Sequence, residues 1–306
     1  MKKIFVSGSL AFDRIMDFPG YFKDNILPEK IHNLNVSFNI EELRENYGGT
    51  AGNIAYNLSL LNLQPTILAT AGKDFEKYQQ YLLEKKINLD GVKVIEHEFT
   101  AAAYIITDKA DNQITGFHMG AMKYDTDYTI ASGDLLLISP GNIHDMLRYQ
   151  DQAQNLHMPY IFDPGQTLPF FQPEELRALV NGAKVLITND YELDLVKKKT
   201  GFSEEQILEI VEILVTTKGD KGSQIKTKKE VLQVPVVKPK AVLDPTGAGD
   251  AYRAGFIYGL LYNKDLETCG KLGALTAVYA VEQYGTQNHK YTLEEFEKRY
   301  KENFKN

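Results

Sequence analysis

The chain has 306 residues, a length that suits two small domains or one large α/β domain with an insertion. Its 41 acidic side chains exceed its 34 basic ones, giving a net charge of −7, so long-range attraction to a nucleic-acid backbone or an anionic membrane is excluded as its main business. With 43% hydrophobic and 25% charged residues it has the composition of a folded globular protein, and a single cysteine, Cys269, rules out an internal disulfide or a cysteine-rich zinc site.

The chain opens with Met1-Lys2-Lys3, and Ile4–Val6 is predicted to begin a short strand. This apolar run breaks at Ser7-Gly8-Ser9, too short for a secretory h-region, and no later run approaches the ~20 residues of a membrane helix. Further buried strands are expected at 66–70, 135–139, 160–163, 185–188 and 213–217. Between them, 53–63, 75–85, 142–156, 173–181 and 191–200 carry apolar residues at helical spacing. This alternation implies right-handed βαβ crossovers around a mainly parallel sheet with helices on both faces.

Two stretches depart from it. Arg14–Asn39 and Thr100–His118 read as extended pieces with turn signals at Pro19-Gly20, Pro28 and Asp111-Asn112. Residues 101–107 and 114–118 form a predicted hairpin, and Asn33–Asn39 is expected to pair with it. The result is one small β appendage, from insertions at about 14–46 and 98–120, placed to cover a crevice at the strand ends or to join two chains. After Thr217 a short hairpin (224–227, 230–235) precedes three helices at 248–261, 266–283 and 293–304. The six histidines are scattered without metal-ligand spacing, and Cys269, among Leu266, Leu272 and Leu275, fits a buried helix position in a reducing cytoplasm.

The most informative segment is Asp244-Pro245-Thr246-Gly247-Ala248-Gly249-Asp250-Ala251-Tyr252-Arg253-Ala254-Gly255-Phe256. One proline and two glycines make a tight turn into an apolar helix whose first N–H groups have no intrahelical partner. Gly247, Ala248 and Gly249 thus outline an anion pocket, and Asp250 sets a carboxylate beside it. Hydroxyl-to-phosphate transfer needs both: amides to offset charge on the moving phosphoryl group, and a carboxylate to accept the hydroxyl proton. A plain capped helix is the competing reading of Gly-Ala-Gly-Asp alone. Gly48-Gly49-Thr50-Ala51-Gly52-Asn53 is a second glycine-rich helix start, where backbone can approach a ligand and Asn53 can both donate to and accept from a hydroxyl.

These two segments together resemble the signatures of the ribokinase-like (PfkB) family of sugar and nucleoside kinases, over nearly the whole chain. The resemblance implies a three-layer α/β/α sandwich with a small β-sheet lid, and an ATP- and magnesium-dependent kinase. It implies that Asp13 anchors vicinal sugar hydroxyls with Gly48, Gly49 and Asn53, and that Asn189 and Glu192 act through water on magnesium. It further implies that Thr217, Gly219, Gly222 and Asn288 border ATP, and that Asp244 and Thr246 help to build a potassium site.

Two departures matter. Thr50 stands where many members carry lysine, and the Asp-x-Asn-x-Arg of many sugar kinases reads Asp163-Pro164-Gly165-Gln166, so a sugar-phosphate substrate loses its cation. The strings 35–38, 52–57 and 244–255 look like the bacterial adenosine and nucleoside kinase branch, with Phe12, Phe38, Tyr104 and Phe117 as candidate surfaces for a base. The expectation is a purine nucleoside kinase, adenosine first, acting on the 5′-hydroxyl, with a homodimer through the lid. The alternatives are a kinase of a free sugar such as ribose or fructose, and a nucleoside sensor without turnover. A dinucleotide-binding oxidoreductase is set aside because Gly8-Ser9-Leu10-Ala11 lacks Gly-x-Gly-x-x-Gly.

Overall fold

Runs such as Ile4-Phe5-Val6 and Leu135-Leu136-Leu137 are apolar at consecutive positions, so strands built from them must be covered on both faces. The structure, a computed structural model describing residues 2–304, covers them with helices on each side. In chain order its elements are β1 (Ile4–Ser7), β2 (Ala11–Asp17), β3 (Glu42–Gly48), α1 (Thr50–Leu60), β4 (Thr66–Gly72), α2 (Glu76–Glu84), β5 (Asn88–Ile95), β6 (Ala101–Thr107) and β7 (Gln113–His118). There follow β8 (Leu135–Ile138), α3 (Ile143–Asn155), β9 (Tyr160–Phe162), α4 (Pro173–Val180), β10 (Val185–Asn189), α5 (Asp190–Thr200), α6 (Glu204–Ile210) and β11 (Ile213–Thr217). The chain closes with β12 (Ser223–Lys226), β13 (Val231–Val234), α7 (Ala248–Leu261), α8 (Leu266–Val281) and α9 (Leu293–Asn303).

The large sheet has the order β13-β12-β11-β10-β9-β8-β1-β4-β5, parallel from β11 to β5 and antiparallel at the β11-β12-β13 end. Chain order reverses between β8 and β1, the place where an open α/β sheet leaves a crevice at the carboxyl ends of its strands. Helix α1 starts there: the Thr50 hydroxyl donates to Pro140 O at 2.9 Å, and the Thr50 amide donates to Ser9 Oγ at 3.0 Å. Helices α1 and α7 pack together in one core, and α3 to α6 cover the other face. No helix of the described residues is long and apolar enough to cross a membrane.

A second sheet of four strands, β3-β2-β6-β7, is built from residues 11–48 and 101–118. Asp13 sits opposite Asn46 and Ala103, and Ala103 opposite Phe117, so these four residues share one face. Three expectations are corrected. Residues 34–40 form no strand; the pairing strand is β3, and Phe38 packs its ring on Phe18 and Phe22, at 4.8 and 5.1 Å between centroids. Extended structure also ends at Asp17 rather than running to Asn39. Edge strand β5 escaped the periodicity because Asp90-Gly91 interrupts it and the pairing with β4 shifts register between Thr66 and Leu68.

Candidate active site

Gly247, at φ +76°, turns the chain into α7 in a left-handed conformation that other residues adopt at a cost. The turn is held by Asp244, whose Oδ1 accepts from the Thr246 amide at 2.9 Å and whose Oδ2 accepts from the Gly285 amide at 3.0 Å. The Ala248 amide is used inside the turn, donating to Pro245 O at 3.2 Å. That corrects its place in the anion pocket: the amides without a protein acceptor among the described residues are those of Gly247, Gly249 and Asp250.

The Asp250 carboxylate lies half-buried beside those amides, and its Oδ2 accepts from Asn53 Nδ2 at 2.8 Å. Asn53 is held in turn: its Oδ1 accepts from Gln287 Nε2 at 3.0 Å, Gln287 Nε2 also reaches Tyr78 Oη at 2.6 Å, and Tyr78 donates to Gly48 O at 2.9 Å. Burial pushes the Asp250 carboxyl up to about 7; the Arg253 charge and the Asn53 hydrogen bond oppose this, while the Asp163 and Asp13 charges add to it. A carboxyl poised near neutrality is suited to take a proton from an alcohol and return it to solvent.

A cleft of about 460 Å³ opens over this helix start and is lined by Asn189, Glu192, Thr217, Gly219, Gly247, Gly249 and Asp250 among the residues the sequence singled out. Asn189 and Glu192 form a capping box, each side chain accepting from the other's amide at 2.7 Å. Both cap α5 and face the cleft. Gly222 and Asn288 do not line it: a Cβ on Gly222 would lie 2.1 Å from Val234 O, and exposed Asn288 donates to Tyr284 O at 2.8 Å. Both serve local turns.

Asp13 faces the same region from the small sheet, and its carboxyl is raised by burial and then by the Asp244 charge. Gly48 leaves room for it, since a Cβ there would stand 2.8 Å from Asp13 Oδ2. At Gly49, φ is +85° and a Cβ would stand 2.5 Å from Ser9 O, so no other residue fits. The aromatic expectations need correction. Phe12 points to the opposite face of the sheet and is buried against Tyr47 and Tyr78. Tyr104 shares that opposite face, where its hydroxyl accepts from Arg14 Nη1 at 2.6 Å. Phe38 is taken up by its own cluster. Phe117 alone of the four occupies a strand position on the Asp13 face, and it is 54% exposed.

Residues outside the predicted site set complete the site. Gln287 and Tyr78 orient Asn53, and Asp163, Thr50 and Arg253 line the cleft. Arg253 had a signal, as a lone cation in the otherwise apolar run after Asp250.

Comparison with known proteins gives consistent matches. The sequence pattern of the pfkB family carbohydrate kinase matches residues 7–292. The nucleoside kinase of Methanocaldococcus jannaschii is 35% identical over 293 residues, spanning 94% of this chain and 93% of that protein. The structure of Burkholderia thailandensis nucleoside kinase in complex with inosine superposes with a TM-score of 0.89 at 34% identity, covering 98% of this chain and 97% of that one. The same protein in complex with ADP-inosine gives 0.86 at 35% identity, over 98% and 96% of the two chains.

Proposed function

The chain belongs to the pfkB family of carbohydrate kinases and is a phosphotransferase with an alcohol group as acceptor; from that premise we propose that it is a nucleoside kinase transferring the γ-phosphoryl group of ATP to the 5′-hydroxyl of a purine nucleoside, adenosine foremost. The observation that carries the transfer chemistry is the meeting of Asp250 with the unpaired amides of Gly247, Gly249 and Asp250. The nucleoside reading is supported by the likeness to the M. jannaschii and B. thailandensis proteins.

In this reading the ribose lies between Asp13 and Asn53, with Gly48 and Gly49 letting the backbone come close. Asp250 takes the 5′-hydroxyl proton as the alcohol oxygen forms its bond to the γ-phosphorus. The bond from that phosphorus to the β,γ-bridging oxygen breaks, and its electron pair leaves with ADP. The free amides hold the non-bridging oxygens of the group in transit. Phe117, on the Asp13 face, is the aromatic placed to meet the base.

Magnesium would arrive with ATP and lower the phosphate charge. The donor set suits an ion held through water: no group of three or more His, Cys, Asp or Glu among the described residues is arranged to hold a metal alone, and Glu192 Oε1 has no protein donor among them. The expected potassium site would lie where two turns meet. Residues 243–247 and 281–285 do meet, but the oxygens there are already drawn into local turns by the Thr246, Gly285, Leu243 and Asp244 amides, and no step is assigned to that ion. The small sheet is proposed as a lid. Its outer row Leu43, Met16, Ile106 and Ile114, in register across all four strands, is the surface proposed to pair with a second copy, in the cytoplasm.

The test is product formation from ATP with adenosine, inosine, guanosine, ribose and fructose. A nucleoside 5′-monophosphate as the preferred product supports the reading. Preference for a base-free sugar would replace it with the sugar-kinase alternative.

A further inference from the structure

We infer that Arg253, locked in place by Asp163, is a further catalytic residue whose Nη1 binds a non-bridging oxygen of the phosphoryl group in transit beside the Gly249 amide. This rests on the kinase reading above. Arg253 lies three residues after Asp250, on the same side of α7, and its side chain turns back toward the helix start.

Its guanidinium is buried, and one edge faces Asp163: Nη2 donates to Asp163 Oδ1 at 2.7 Å, and Nε lies in ion-pair contact with Asp163 Oδ2. The third nitrogen does not. Nη1 meets no protein acceptor among the described residues, and it lies over Gly249, where a Cβ would stand 2.7 Å from it. Gly249 has ordinary backbone angles, so this nitrogen, rather than a left-handed turn, is what the absent side chain makes room for.

The charge balance of the cleft points the same way. Asp163, Asp190, Glu192 and Asp250 line it, and among the described residues Arg253 is the sole basic one that does. The segment Asp163-Pro164-Gly165-Gln166 after β9 carries no cation of its own, so the positive charge at this point comes across from α7. A buried ion pair made only for stability gains nothing from a cleft-facing N–H without an acceptor, because desolvating the pair already offsets most of its attraction. A guanidinium held on one edge with the other edge free is preorganised to meet charge that develops later.

The test uses the full-length protein, MgATP and the preferred nucleoside. A double variant, Arg253→Met with Asp163→Asn, removes both charges while keeping volume, so no buried charge is left unpaired. It is expected to melt near the parent temperature, to bind nucleoside within about 3-fold of the parent, and to lose about 100-fold or more in kcat. It is also expected to lose the tight binding of ADP with aluminium fluoride that a transition-state mimic should show. A folded double variant with kcat within about 3-fold of the parent overturns the inference.

Should the double variant fail to fold, Arg253→Lys carries the test. A single ammonium cannot hold Asp163 along one edge and a phosphoryl oxygen along another, so kcat should fall about 10-fold at unchanged nucleoside binding. An unchanged kcat overturns the inference. If the parent protein itself forms no phosphorylated product, it is the kinase reading that fails instead.

Discussion

Asn53 Nδ2 donates to Asp250 Oδ2 at 2.8 Å, joining the first turns of α1 and α7 across 197 residues of sequence. The amide cannot turn over without loss, because its Oδ1 accepts from Gln287 Nε2 at 3.0 Å. Gln287 is in turn tied through Tyr78 to Gly48 at the end of β3. The carboxylate proposed as the base is therefore aimed by a chain of hydrogen bonds that ends in the small sheet.

Asn53→Ala removes a donor that favours the charged form of Asp250, so the carboxyl should rise further above its already raised value. The acidic limb of kcat/KM should move to higher pH, and kcat/KM at pH 7 should fall by about 10- to 100-fold, the worth of a hydrogen bond to a charged group. The other charges acting on Asp250 are Arg253, Asp163 and Asp13, all left in place by this change. A limb that stays where it was would show that Asn53 binds the ribose and does nothing for the base.

Asp250→Asn should cost about 1,000-fold in kcat while nucleoside binding survives. It should also stabilise the fold above neutral pH. With the folded-state carboxyl raised to about 7 from 3.8, the folded protein holds its proton more tightly than the unfolded chain, so stability falls as pH rises through that window. Asparagine carries no such penalty. The variant should melt about 2 °C higher at pH 8, and the difference should close toward pH 4. Equal melting temperatures at pH 8 would show that the carboxylate is not desolvated enough to hold its proton.

Two neighbouring glycines should respond differently to alanine. At Gly247 the positive φ and a contact of 2.9 Å with Thr286 Cγ2 should cost stability, on the order of 1–2 kcal/mol, together with activity. At Gly249 the backbone is ordinary and the obstacle is Arg253 Nη1, the end of a side chain. Gly249→Ala should therefore melt close to the parent but lose about 10-fold in kcat. Thermal melts and initial rates on the two variants separate these cases, and a Gly249→Ala protein with parental kcat would mean that the space beside the guanidinium is not used.

What the sequence made legible was local chemistry. The turn at Gly247, the carboxylate at Asp250 and the Asn189–Glu192 cap all depend on residues a few positions apart. The Gln287–Asn53 and Gln287–Tyr78 bonds span 234 and 209 residues, and no spacing rule reaches that far. The assignments of Phe12 and Tyr104 failed for a related reason. Which face Phe12 or Tyr104 occupies is set by the register among β2, β3, β6 and β7, and a shift of one residue would exchange the faces. Arg253 was visible as a residue, but its meaning depends on Asp163, 90 positions away.

His289 offers a prediction about stability alone. Asn57 Nδ2 donates to Asn53 O at 2.9 Å, which turns Asn57 Oδ1 toward His289 Nε2 at 2.8 Å. Nε2 therefore carries the hydrogen, and Nδ1 is buried without a partner among the described residues. Protonation would place a charged N–H there among the rings of Tyr56 and Tyr291, with no anion beside it, and burial accordingly holds the imidazole down at about 4. Below pH 6.5 the unfolded chain takes up a proton that the folded one refuses, so stability should drop as pH falls from 6.5 to 4. The expected slope approaches one proton, about 1.4 kcal/mol per pH unit. His289→Gln keeps an amide for Asn57 and has nothing to titrate, so its denaturant midpoint should vary less with pH over that range; if parent and variant follow parallel curves, the histidine is not what limits the fold in acid.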